Sequence, residues 1–549
     1  MTTQRSPWSV VTPMLLYSSF CLLVGDMLYG YDTGSFGGVL ANQGFIRQFG
    51  TYNPHTEAYT FDSLRTSLIS SLAFIGKFIG CFVAAPAIER LGHRNVFYLL
   101  SVVSVIGVIL EITAADTAAG TGRYPQFIVG RIVVYISVGL VEVNVTTYQS
   151  EIVPAAFRGL VVISLQLFLN AGTLVATGIN KAFSTDTSPV GWKTVTGVQL
   201  VFPALIALFT LFIPSSPRWL LSKDREEDAV TALCRLRPKE DAENGNCEAE
   251  IVAIRGALQS HVHKGTWTDL LRSTNFRRTT IVIVYYFFQQ TTGQAFVSTY
   301  QTVFYRENRY AAHAFTYPII NSCLGMIAVL PSMYMVDKIG RRYSLLISFF
   351  FQCFFMYLLA GLGQQTTKTA TESNTIVAAF MLFAFSYNMG GASIPYLLGT
   401  EIPNASLREK TQSLGAAWNV IWAFVTNFII PYMIDSIHFQ VGWVFGSISL
   451  AAFIFTFLVL PETKVSAASS DNNLAWKQIT DNYAVVQGRA LEEIDNVFSV
   501  AFNPFRSSSG AYEGAARRVG QLEGDKIMAS NDMDNKNIST ADKPHVSHV

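Results

Sequence analysis

Asp337-Lys338-Ile339-Gly340-Arg341-Arg342 is a short charged stretch wedged between two long apolar runs. A loop this brief, with a glycine for the turn and several basic side chains, reads as a tight hairpin between two membrane spans. It faces the side of the membrane that collects Lys and Arg. The chain carries a second copy 248 positions earlier, Glu89-Arg90-Leu91-Gly92-His93-Arg94, also between apolar runs. One span pair further on, Glu151-Ile152-Val153-Pro154 is followed by Arg158, and Glu401-Ile402-Pro403 by Arg408; these two glutamates are 250 apart. A third pair, Pro214–Arg218 and Pro461–Lys464, is offset by 247. Three motif pairs at nearly one offset make the chain two copies of one unit.

Composition agrees. Of 549 residues half are hydrophobic, 13% are aromatic and only 14% are charged, which excludes an ordinary soluble enzyme and calls for many membrane spans. The net charge of +1 gives no reason to expect nucleic acid. Four of the six cysteines lie in apolar runs, so a disulfide framework is not expected. No phosphate-binding loop, metal-ligand cluster or nucleophile triad is placed by any motif, so neither an enzyme nor a cofactor or metal is expected. The first apolar run is long and contains Asp32; it reads as a span and not as a cleavable leader.

Apolar runs of about 20 residues, enough to cross a bilayer as helix, occur twelve times. They lie near 14–40, 66–88, 95–114, 124–146, 158–181, 197–214, 279–304, 315–336, 342–363, 374–399, 410–434 and 442–460. These are spans 1 to 12. The basic residues gather on the side of the charged loops, which makes that side, and both termini, cytoplasmic. The reading is an all-α membrane protein of two pseudo-symmetric six-helix bundles, 1–214 and 277–462. A cytoplasmic linker, 215–276, carries helical pieces near Arg225–Arg237 and Cys247–Leu258. A polar tail, 463–549, is expected to be disordered.

Charge inside a span is costly, so each case is a functional candidate. Asp32 in span 1 and Arg131 in span 4 are the obvious two. Glu142 follows Arg131 by 11 residues, which returns it to within about 20° of the same helix face, about 16 Å along the axis.

With those features in hand the chain resembles the sugar porter family of the major facilitator superfamily, in its fungal form. The resemblance rests on Gly30-Tyr31-Asp32-Thr33-Gly34, Gly130-Arg131, the two charged loops, the two Glu–Arg pairs, Ser216-Pro217-Arg218-Trp219-Leu220, Gln289-Gln290 with Gly293, and Pro461-Glu462-Thr463-Lys464. It implies alternating access around a midplane site and transport of a sugar-like solute, with protons as co-substrate, by a monomer in the plasma membrane. Export of a fungal secondary metabolite, facilitated diffusion and nutrient sensing without transport are the alternatives. By this resemblance Asp32 and Arg131 are a proton-coupling pair; at Glu142 the family usually has a small residue, and this acid reads as a second proton site, a substrate-cation contact or a carboxyl satisfied by Ser and Asn neighbours. Tyr29, Gln166, Gln289, Gln290, Tyr396 and Asn419 are substrate contacts, because amides offer sugar hydroxyls both donors and acceptors.

The same resemblance makes the charged ends of the helices a cytoplasmic gate. Glu89, Arg94, Glu151 and Arg158 form one cluster, and Asp337, Arg341, Arg342, Glu401 and Arg408 the other. The first loop departs from the family pattern by placing Glu89 for Asp and His93 for Arg. In the site, Ala295, Thr299, Thr173 and Gly325 replace family hydrogen-bonding residues, which leaves fewer partners for a hexose and a larger cavity. Family members run from P-E-T-K directly into G-R-x-L-E-E-I-D. Here 23 residues, Val465–Gln487, separate the two halves of that motif. Their Val-Ser and Gln ends can be encoded by splice-site sequences, so 465–487 reads as a retained intron, with a genuine polar linker as the alternative.

Overall fold

The computed structural model describes residues 12–55, 57–115, 120, 122–153, 158–260, 266–307, 313–365, 369–403 and 407–460. The expected tail 463–549, the insert 465–487 and Pro461–Lys464 lie outside the described residues, as do the side chains of Arg158 and Asp337. Two compact units divide the chain, Met1–Phe457 and Leu458–Val549; the first holds everything described below except the last residues of the final helix.

Helices cover all twelve expected spans. Span 1 is Pro13–Ala41, and span 2 is Ser63–Ser71 continued by Ala73–Leu91. Span 3 is His93–Thr113, span 4 Tyr124–Ile152 and span 5 Arg158–Ala182. Span 6 is Pro189–Val198 with Val201–Thr210, starting eight residues before the expected 197 because Ser188 caps a proline-led first turn. Span 7 is in three pieces, Ser273–Thr291, Gln294–Ser298 and Gln301–Glu307. Span 8 is Tyr317–Lys338 and span 9 Arg341–Gly363. Span 10 is Ala370–Ser386, a π turn at Tyr387–Gly391, and Ile394–Glu401. Span 11 is Arg408–Ile437 and span 12 Val441–Val459.

The two charged loops turn on Gly92 (φ 79°) and Gly340 (φ 103°), again 248 positions apart. Those angles are strained for any residue with a Cβ, so the repeat read from the sequence is also a repeat of backbone geometry. Large apolar side chains such as Phe20, Phe82, Val102, Ile106, Phe350 and Phe354 point outward, as lipid-facing surfaces do.

One element was not expected, and the linker adds two short helices to the two expected near Arg225–Arg237 and Cys247–Leu258. A small antiparallel hairpin, Thr51–Asn53 with Ala58–Thr60, joins spans 1 and 2 and pairs Tyr52 with Tyr59. The linker holds four short helices, Pro217–Ser222, Glu226–Leu236, Lys239–Glu243 and Asn246–Ser260. They close over a small core of Leu220, Leu221, Ala229, Leu233 and Ile251. Arg237 pairs with Glu250 at 2.7 Å and donates to the Ile152 carbonyl at 3.1 Å, tying the linker to the end of span 4.

At the end opposite the charged loops the halves touch. Gly37 of span 1 lies so close to the Thr299 carbonyl that a Cβ there would sit 2.3 Å from it. Ser67 donates to the Phe428 carbonyl at 2.6 Å, Ser63 to the Asp435 carboxylate, and Arg306 to the Ala41 carbonyl.

Candidate functional site

Gly30, Gly34 and Gly38 recur every four residues and so share one face of span 1. That face packs directly on span 5: Cβ atoms at these glycines would meet the Leu169 carbonyl, Thr173 and Asn180. Asp32, two residues from Gly30, is on the opposite face, turned into the bundle. There the buried Asp32 Oδ2 lies 3.6 Å from Arg131 Nη2, and Gln199 donates to its other oxygen at 3.3 Å. The pair is long for a charge-assisted hydrogen bond. Arg131 also donates to the Tyr135 hydroxyl at 3.3 Å, and its guanidinium carbon lies 3.6 Å from the centre of the Phe36 ring.

Glu142 has a partner that sequence reading did not foresee. Lys77 of span 2, only 1% exposed, places its ammonium 2.9 Å from Glu142 Oε2. The same ammonium is 3.4 Å from the Tyr29 hydroxyl and 4.7 Å from that ring's centre. The other Glu142 oxygen accepts from the Tyr396 hydroxyl at 3.2 Å, a bond that joins span 4 to span 10 and hence one half to the other.

A small open cavity lies between the halves. Tyr29, Thr33, Phe36, Phe74, Arg131 and Tyr135 form its wall on the first half; Gln290, Gln294, Ala295, Ser298, Thr299 and Asn427 form it on the second. Three of the expected substrate amides converge at that wall, with Gln290 on it and Gln289 and Asn419 bonded in a chain from it. Asn419 accepts from Gln290 at 3.0 Å and donates to Gln289 Oε1 at 2.8 Å, while Gln289 donates to the Ala392 carbonyl at 2.6 Å. Gln166 sits apart from them and donates across the halves to Asn388 Oδ1 at 3.2 Å; Asn170 donates to the same oxygen at 2.9 Å. Tyr29 lines the cavity, whereas Tyr396 is engaged with Glu142. Ala295 and Thr299 are on the cavity wall, but Thr173 is turned to the Gly30 carbonyl and Asn321 to Gln301.

The charged loops follow the repeat more closely than their residue types suggest. In the second half Arg341 pairs with Glu401 at 2.9 Å, and Arg342 donates to the Phe457 carbonyl at 2.8 Å. In the first half His93, at the position of Arg341, lies 3.1 Å from Glu151, to which Ser216 also donates. Arg94, at the position of Arg342, donates to the Leu211 carbonyl at 3.2 Å. The partner of Glu151 is therefore His93 and not Arg94, because the first basic position of each loop reaches the glutamate and the second reaches a carbonyl. Both pairs lie within one half. The Glu89 side chain is exposed, and its carbonyl accepts from the Trp219 indole at 3.1 Å.

A sequence profile described as sugar (and other) transporter matches residues 18–470. The chain belongs to that family. Among its relatives, the transporter is 26% identical to a probable high-affinity hexose transporter, ght8, mitochondrial, of Schizosaccharomyces pombe, over 89% of this chain and 94% of that one. It is 25% identical to the hexose transporter HXT8 of Saccharomyces cerevisiae, over 95% and 88%. Its fold is that of the xylose transporter XylE from E. coli in a partially occluded inward open conformation. The TM-score is 0.68 at 20% sequence identity, covering 82% of this chain and all of the other. The transporter thus has the major facilitator fold, and its relatives are transporters and not enzymes.

Three ionisable residues of the transporter's spans escaped the sequence reading: Asp26, Lys77 and Glu111. The signal was present. The rule that flagged Asp32 and Arg131, charge within an apolar run, applies equally to all three.

Proposed function

We propose that the transporter carries a neutral sugar together with a proton from the outside to the cytoplasm, across the plasma membrane, with both termini inside. The observation that carries this reading is the shared wall. Arg131, which pairs with Asp32, lines the same cavity as Gln290 and Tyr29. A solute in that cavity touches the guanidinium, so its arrival competes with the Asp32 contact and alters the affinity of Asp32 for a proton. Alternating access supplies the rest. The contacts at Ser67, Ser63 and Arg306 close the outer end, and the pairs at Glu151 and Glu401 shape the inner ends of the helices. The named relatives that transport hexoses support a hexose-sized solute. Uptake of radiolabelled D-glucose, D-xylose and maltose by proteoliposomes, with and without an imposed proton gradient, tests the reading. Accumulation above equilibrium only with the gradient is expected. Equal uptake with and without it makes the protein a facilitator, and no uptake of any of the three removes the sugar assignment.

A further inference from the structure

We propose that Glu111 is the second acid of the Asp32–Arg131 site, and that the two carboxyls hold one exchangeable proton between them; this rests on the proton-coupled reading above. Glu111 is in the last turn of span 3 and is 2% exposed. Its Cγ lies against Gly130, where a Cβ would sit 2.8 Å away, which sets it beside Arg131 on the next position of span 4. Arg131 in turn lies 3.6 Å from Asp32. Three atoms of this buried trio lack a hydrogen-bond partner among the described residues: Glu111 Oε1, Asp32 Oδ2 and Arg131 Nε.

The charge count decides what is missing. Two carboxylates against one guanidinium leave one negative charge among three side chains that are almost fully buried. Such a charge is not tolerated in the membrane interior without a partner. Binding one proton forms an O–H bond on either carboxyl and brings the sum to zero; release to water breaks it again, and nothing else changes. A metal cation does not fit. It needs several oxygen ligands, and the guanidinium would repel it.

Among the described residues no salt bridge to Glu111 is formed. Tyr135 touches the guanidinium and Gln199 of span 6 is neutral. Lys77 of span 2 is engaged with Glu142, and Lys193, on the helix that packs beside Ile112, is half-buried. Arg131 is the moving part. When a solute in the cavity draws the guanidinium from one carboxyl, that carboxyl keeps the proton, and Glu111 and Asp32 exchange roles as the site turns over.

The test uses the full chain in two arms. In detergent, without substrate, infrared difference spectra between about pH 5 and pH 8 read protonated buried carboxyls directly. The parent is expected to show a titrating band that Glu111→Gln abolishes, Glu111→Asp shifts and Asp32→Asn alters, with the exposed-residue variant Glu372→Gln unchanged. In proteoliposomes, parent uptake of D-glucose is expected to fall about tenfold per pH unit on its alkaline limb, and Glu111→Gln to flatten that limb to within about twofold. A band untouched by both Glu111 substitutions, no titrating band in the parent, or a sodium requirement in place of the pH limb overturns the proposal. If parent uptake ignores the proton gradient, the symport reading fails, and the infrared arm still decides whether Glu111 holds a proton.

Discussion

The pairing of His93 with Glu151 makes a quantitative prediction. Glu151 Oε2 lies 3.1 Å from His93 Nε2, and the ring's other nitrogen lies 2.8 Å from Asn144 Oδ1. The Asn144 amide nitrogen donates to the His93 carbonyl at 3.2 Å, which orients that oxygen toward the ring. Both ring nitrogens therefore lie within hydrogen-bond distance of an acceptor oxygen. Replacing His93 by Phe keeps the packing on Tyr148 but deletes one hydrogen bond to a charged group. Such a bond contributes about 1.5–3 kcal/mol, and the partial exposure of Glu151 favours about 2 kcal/mol, a factor of about 30. The assay is a double-mutant cycle on initial uptake rates with His93→Phe and Glu151→Gln. The pair should be non-additive by about 30-fold in rate, provided the contact is made in one state of the cycle and lost in another. A parallel cycle with Arg94→Gln and Glu151→Gln should be additive within about twofold, and His93→Arg should transport like the parent because Arg341 already makes this contact in the other half. Coupling that follows Arg94 instead of His93 would refute the reasoning.

Three further outcomes follow from the geometry. Lys77→Met leaves Glu142 without its cation and should destabilise the protein by about 3 kcal/mol, the low end for a broken buried pair because Glu142 is 21% exposed; the double variant with Glu142→Gln should recover most of that in a thermal aggregation assay. Asp32→Asn should abolish accumulation against a gradient while leaving counterflow exchange, and accumulation by that variant would move the coupling site elsewhere. Gly30→Ala places a Cβ 1.9 Å from the Leu169 carbonyl, which forces spans 1 and 5 apart and should abolish folded protein in size-exclusion chromatography.

Much of the fold was legible because the bilayer imposes length and the repeat imposes register. Gly92 and Gly340 announce the same turn, because glycine at the same place in both loops permits the positive φ that each adopts. The His93 contact was less legible, since a position equivalent to Arg341 was masked by a different side chain, and only its coordinates reveal that it does the same task. Lys77 and Glu111 were readable by a rule applied too narrowly. The partners of Gln289, Gln290 and Gln166 were not readable at all. They depend on how helices more than 100 residues apart in the chain are rotated against one another, and no local pattern encodes that.

Span 7 is jointed where every neighbour could have been a rod. Gly293 breaks it at a φ of 109°, and a second break follows Ser298. The short piece between them carries Gln294, Ala295 and Ser298 on the cavity wall, while the outer piece is fastened to the opposite half through Arg306 and the Ala41 carbonyl. A stiff rod would carry any tilt of the second half straight to the outer rim. A crank with two pivots does not: the inner arm can swing with its own half while the outer arm stays with the other. In the proposed transport cycle the rim therefore answers first to whatever bends the middle arm, the arm that carries Gln294 and Ser298.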